Sequence, residues 1–153
     1  MRYIDFIQLD YFDRLTFIEA VKCSKLPEVD CTSWTWGQVK EAQEITSNDA
    51  TFEEVLRIVK FQTKLNQYSD ARLVFQFYLA IQKSISEITK IESEATAYKP
   101  EAKEIVAAQE VGGFDVFGTL PQTLRLVGII APDIKTVEET DYNTAFAALV
   151  YQL

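Results

Sequence analysis

Apolar positions recur at steps of three and four along most of this chain, the spacing of an amphipathic helix, and short polar or Pro/Gly stretches interrupt them. At the N-terminus Ile4, Phe6, Ile7 and Leu9 admit a short strand over residues 3–9. Leu15, Ile18 and Val21 then form a helical stripe that Asp10 or Asp13 can cap, and Pro27 ends the unit before a loop at 28–33. After Trp34-Thr35-Trp36-Gly37, the residues Val39, Ala42 and Ile45 are spaced by three and predict another helix, broken at 46–48. Thr51-Phe52-Glu53-Glu54 matches a capping box, in which the Thr hydroxyl and the Glu carboxylate satisfy each other's backbone N–H. Phe52, Val55, Leu56, Ile58, Val59 and Leu65 continue it as a helix of about three turns, closed at 66–69.

The longest periodic stretch follows. Asp70 caps it, no Gly or Pro occurs from Ala71 to Lys99, and the apolar series Val74, Phe77, Tyr78, Ile81, Ile85, Ile88, Ile91, Ala95, Tyr98 runs through it. A helix over residues 70–98 spans on the order of 40 Å. Its first half is apolar nearly all round and belongs inside; its second half carries a narrow stripe with a polar back, suited to the surface or to a partner helix. Pro100 opens a further helix over 101–110, Gly112-Gly113 bends it, and Phe114-Asp115-Val116-Phe117-Gly118 forms an aromatic link. A helix over 120–130 shows Leu124 and Val127 on one side, together with Leu120 and Ile129 or Ile130. Pro132-Asp133 turns the chain, Thr136-Val137-Glu138-Glu139 is a second capping-box match, and Asp141 caps a final helix with Tyr142, Ala145, Phe146, Leu149 and Val150. The pattern predicts an all-α fold: one compact multi-helix domain over residues 1–153, with one long central helix.

Composition narrows what such a domain can do. With 153 residues and 48% hydrophobic content, the chain has material for a core without metals or disulfides. No stretch approaches the roughly 18 apolar residues of a membrane helix, and the first residues do not resemble a secretory leader, so a cytoplasmic protein is expected. The chain contains no histidine, which removes Ser-His and Cys-His nucleophiles, imidazole acid–base chemistry and the commonest zinc ligand. Cys23 and Cys31 are too few for a structural zinc site and read as reduced thiols, although a disulfide across the Pro27 loop is sterically conceivable.

The net charge of −8 argues against binding a nucleic-acid backbone. Mimicry of nucleic acid by carboxylates is compatible with it, but the charge is spread, −3 over residues 1–64 and −5 over 65–153, with signs interspersed. The carboxylate pairs Asp10/Asp13, Glu41/Glu44 and Glu101/Glu104 suit helix starts or solvated faces better than hydrolytic acid–base pairs. Glu138, Glu139 and Asp141 make a weak hard-metal set, and no phosphate loop, dinucleotide fingerprint or nucleophile elbow occurs. No catalytic residue, metal or cofactor is therefore assigned. Trp34 and Trp36 are candidates for stacking on a partner, with core anchoring as the alternative; Phe75, Phe77 and Tyr78 read as core.

The C-terminal third runs Glu101-Ala102-Lys103-Glu104, Gly112-Gly113-Phe114, Phe117-Gly118, Leu124-Arg125-Leu126, Asp133-Ile134-Lys135-Thr136-Val137, Tyr142, Phe146, Leu149-Val150-Tyr151. This layout, with Trp36-Gly37-Gln38-Val39 upstream, resembles the tail assembly chaperones of tailed bacteriophages over residues 33–153. It is a likeness of spacing and residue type, and residues 1–30 lie outside it. The resemblance implies a non-enzymatic protein-binding role in particle assembly, covering apolar helical segments of a tape-measure-type client. It implies client contacts along the long helix, at Ile85, Ile88 and Ile91, and at Phe114 and Phe117 in the aromatic link, and it leaves a homo-oligomer open. The acidity then serves as a solubility coat. The other readings are a structural virion component such as a tail or connector protein, and an acidic inhibitor of a host or defence protein.

Overall fold

The computed structural model describes residues 1–95 and 120–151. Among them are eight α-helices and one 3-10 turn, and the backbone pairing recorded as β is confined to isolated bridges, so the fold is all-α. The helices are α1 (Tyr3–Ile7), α2 (Tyr11–Lys22), α3 (Trp36–Thr46), α4 (Phe52–Gln62), α5 (Ala71–Ala95), α6 (Leu120–Leu126), α7 (Ile134–Glu139) and α8 (Tyr142–Tyr151). The 101–110 helix, the Gly112-Gly113 bend, the Phe114–Phe117 link and Tyr98 lie outside the described residues. No helix among the described residues is long and apolar enough to cross a membrane. The described residues group into two units: residues 1–31 with 45–87, and residues 32–44 with the chain from 88 onward.

In the first unit the expected strand at 3–9 is a helix. Arg2 is extended and forms a single bridge with Asp70, and then the chain turns into α1. Two causes favour the turn. Tyr3 and Phe6, three apart, are both buried, which only a helical spacing permits; and Asp5 Oδ2 receives the Arg2 Nε hydrogen bond at 2.8 Å across the first turn. The free N–H groups at the start of α1 are satisfied by the loop before α5, Tyr3 donating to the Ser69 carbonyl and Ile4 to that of Gln67, both at 2.8 Å. Phe6 is the hub of the aromatic core, with ring centroids 4.7 Å from Phe75, 5.2 Å from Phe17 and 6.1 Å from Phe52. The Tyr3 hydroxyl donates to the Phe52 carbonyl at 2.6 Å and so ties α1 to the start of α4.

The expected caps of this unit are present. Asp10 accepts the Asp13 N–H at 2.9 Å at the head of α2, Thr51 and Glu54 form the capping box of α4, and Asp70 accepts the Arg72 N–H at 3.0 Å at the head of α5. The α4 stripe buries Val55, Ile58 and Val59. Helix α5 buries Val74, Phe75, Tyr78 and Ile81, while Leu73 is exposed. Cys23 is exposed and Cys31 buried, and both are free thiols.

The second unit contains most of α3, the last turns of α5, and α6 to α8. Val39 and Ala42 of α3 are fully buried. Trp36 opens α3, its N–H donating to the Thr140 carbonyl at 2.8 Å while Tyr142 N–H donates to the Trp34 carbonyl at 3.0 Å. Gly37 is required by this approach: a Cβ there would stand 2.8 Å from Glu138 Cβ and 3.0 Å from the Glu138 carbonyl oxygen.

Two expectations in this unit are corrected. The helix expected over 120–130 ends at Leu126, because Gly128 takes a left-handed φ of 84° and donates to the Ala131 carbonyl at 2.7 Å, reversing the chain. Its buried face is Thr123 and Leu126, and Leu124 is exposed. The capping box expected at Thr136 is not formed: Asp133 caps α7 by accepting the Thr136 N–H at 2.8 Å, which makes Thr136 the third helical residue. Asp141 caps α8 as expected, accepting from Thr144 N–H at 3.2 Å, and Tyr142, Ala145 and Leu149 are buried.

Candidate functional site

Two features of the second unit concentrate chemistry. The first is a buried polar cluster. Lys40 on α3 and Glu92 on α5 form an ion pair at 2.5 Å with side chains only 5% and 6% exposed. Lys40 Nζ also donates to Gln43 Oε1 at 3.0 Å and Gln122 Oε1 at 2.8 Å, and lies 4.2 Å from the centroid of the Trp36 ring. Glu92 accepts further bonds from Gln43 Nε2 at 2.7 Å and the Tyr142 hydroxyl at 2.8 Å. The Trp36 indole is engaged by others too: Tyr142 is stacked with it at 5.6 Å, and the indole N–H donates to Thr123 Oγ1 at 3.0 Å.

Burial pushes the Lys40 ammonium below its ordinary value, while the attraction of Glu92 and its hydrogen bond hold it up. The Tyr142 hydroxyl is raised by burial and by the neighbouring Glu92 carboxylate. Every buried side-chain polar atom among the described residues has a partner, so the cluster is saturated, as a structural junction of α3, α5, α6 and α8 should be. A saturated, enclosed cluster offers a substrate no free valence.

The second feature is an open groove between α6 and α7. It has a volume of about 760 Å³ and is lined by Leu124, Val127, Ile134, Asp133, Lys135 and Glu139, with Thr136 beside them. Leu124 and Ile134 are 50% and 40% exposed, and Ile129 nearby in the chain is 45% exposed. Leu124 lies between the buried Thr123 and Leu126 on α6, and Ile134 directly follows the Asp133 cap of α7. A comparable hollow on α4 is bordered by Glu53, Glu54, Arg57 and Lys60, with Leu56 and Phe61. In the first unit, α2 displays Tyr11 and Phe12, 62% and 77% exposed, beside Leu15.

Four of the residues expected to contact a partner are interior. Trp34, Trp36, Ile85 and Ile88 are all buried, and Trp36 is fully enclosed. Their area goes into this chain's own core, which corrects their assignment to an open docking face. Ile91 is 55% exposed, and Phe114 and Phe117 lie outside the described residues. The spacing of Ile85, Ile88 and Ile91 could not separate the last from the first two, because the inward place after Ile88 is taken by Glu92. Reading Glu92 as a core residue would have needed the Lys40 partner, 52 positions away. The groove residue Ile134 had one signal, an apolar residue in an otherwise polar first turn. Among the described residues no group of His, Cys, Asp and Glu could hold a metal ion, Glu138, Glu139 and Asp141 included. No family model matches the chain, and no curated protein or solved structure matches it.

Proposed function

We propose that this chain is a non-enzymatic protein-binding module that shields an apolar helical segment of a client, in the manner of a tail assembly chaperone acting on a tape-measure-type protein. The observation that carries the reading is the α6–α7 groove, lined by Leu124, Val127 and Ile134, of which Leu124 and Ile134 are exposed. An apolar groove with a polar rim suits an amphipathic helix that lays down side chains at i, i+3 and i+4. Asp133, Lys135 and Glu139 at the rim supply polar partners of both signs. Of its lining, Leu124, Asp133, Ile134, Lys135 and Thr136 fall in the part of the sequence whose layout resembles such chaperones. The absence of histidine from the chain and of any recognised catalytic motif supports a binding role.

Co-expression with tape-measure-type tail proteins tests the proposal. The account expects client to stay in the soluble fraction with the wild-type chain and to precipitate with the Leu124→Asp/Ile134→Asp variant, whose own helicity is unchanged. Client that precipitates equally with both, or stays soluble with both, contradicts it. Mass spectrometry of finished particles separates a chaperone, which is absent from them, from a permanent virion component.

A further inference from the structure

Apolar residues lie on two opposite sides of α2. Helical positions advance by about 100° each, which puts Phe17 and Val21 on one side and Phe12 and Leu15 on the other. The first side packs inward: Val21 is buried, and the Phe17 ring meets those of Phe6 and Phe75, with centroids 5.2 and 6.3 Å away. The second side is open, Phe12 being 77% and Leu15 41% exposed, and the exposed Tyr11 ring sets its edge against Phe12 at 5.9 Å. A helix that is apolar on both sides calls for cover on both. The polar groups of the open side are already engaged within the helix. The Thr16 hydroxyl donates to the Phe12 carbonyl at 3.0 Å, and Lys22 pairs with Glu19 at 3.0 Å. Covering the side strands neither group, so it selects by apolar shape rather than by hydrogen bonds. The charges of α2 also cancel, Asp13 and Glu19 against Arg14 and Lys22, in a chain of net charge −8. Two copies of this helix therefore meet without the repulsion that a net-acidic surface gives.

We propose that the outer side of α2 is a self-association surface, on which a second copy of this chain lays its own α2 antiparallel, about a two-fold axis near residues 13–14. Phe12 of each copy packs against Leu15 of the other, and one small patch is used twice, as an isologous contact requires. Charge sets the direction. A parallel pair puts Glu19 beside Glu19 and Lys22 beside Lys22, whereas the antiparallel pair keeps both ion pairs beyond the apolar overlap. Area sets the strength. Two aromatic rings and a leucine bury roughly 300–400 Å² a copy, against about 800 Å² in a stable complex, so the dimer exchanges with monomer. The surface stands independently of the client proposed for the α6–α7 groove.

Sedimentation velocity of the full chain, from about 10 μM to about 1 mM, reads the association. The expected result is monomer at the low end and dimer at the high end. More dimer forms in about 0.5 M than in about 0.05 M salt, because screening relieves the −8 of each copy. Phe12→Ser, lost from both sides of the contact at once, raises the dimer dissociation constant at least about tenfold, with helicity by circular dichroism unchanged. Leu124→Ser/Ile134→Ser leaves the constant as it is, which separates this surface from the groove. A short bis-maleimide reads the direction. In Leu15→Cys/Cys23→Ser the introduced thiols lie about 5 Å apart along the helix axis and are cross-linked. The natural Cys23 thiols lie about 28 Å apart along it and are not, and Cys31 is buried in either case. Monomer throughout, or a dimer that Phe12→Ser leaves intact, overturns the proposal and assigns this side of α2 to a different protein. Cross-linking through Cys23 alone overturns the antiparallel arrangement.

Discussion

Lys40 occupies a place that α3's spacing would give to an apolar residue, one step from the fully buried Val39 and two from Ala42. A buried cation is tolerable there because its hydrogens meet Glu92, Gln43 and Gln122. Removing one partner leaves an uncompensated charge, so Lys40→Met is expected to cost about 3–5 kcal/mol, and Lys40→Met/Glu92→Leu much less. Urea titration of the two variants checks this. Alkaline pH probes other buried groups. Burial raises the Cys31 thiol from 9.0 to about 11, against the lowering hydrogen bond of Ser84. Burial likewise raises the hydroxyls of Tyr3, Tyr78 and Tyr142 above 10.0. These groups ionise less readily folded than unfolded, so the stability they contribute is whole below pH 9 and is lost as pH rises through 9–11 and beyond. Lys40 works in the opposite direction, since its folded form sheds its proton first as pH approaches 10.5. The urea midpoint is therefore expected to hold to about pH 9 and fall by about pH 11. Cys31→Ala should flatten the first part of that fall; an unchanged slope in this variant contradicts the assignment.

Helix starts are the most legible elements, because a cap is a local contact between a side chain and an N–H two or three residues on. Asp10, Thr51, Asp70 and Asp141 all act as the sequence suggests. Thr51→Ala is expected to cost about 1 kcal/mol, read as a lowered melting temperature. Sequence and structure part where tertiary contacts overrule local pattern. The 3–9 segment alternates well enough for a strand, yet the burial of Tyr3 and Phe6 together decides for a helix. The Thr136 box does not form because Asp133, three residues earlier, takes the Thr136 N–H that Glu139 would have accepted. Gly37 carries no warning in the sequence; its need is set by Glu138, a distant segment of the chain. Gly37→Ala must push α3 from the end of α7 and is expected to cost about 1–3 kcal/mol, far more than the few tenths of a helix-neutral change. A measured loss below about 0.5 kcal/mol contradicts the close approach.

At the scale of the molecule, the all-α class and the long α5 could be read from periodicity. The candidate site could not. Exposure of Leu124 and Ile134 follows from where Thr123, Leu126 and Val137 point, which no single-sequence pattern reveals. The aromatic pair on α2 is exposed as well, but it sits on a convex helix face, whereas the α6–α7 groove is concave and can enclose a side chain. That contrast sets the most direct test of a groove-bound client. Client solubility is measured in co-expression with wild type, with Leu124→Asp/Ile134→Asp, and with Tyr11→Ser/Phe12→Ser, all checked for equal helicity. The account predicts that the groove variant alone loses the client; retention by the groove variant, or loss confined to the α2 variant, contradicts it.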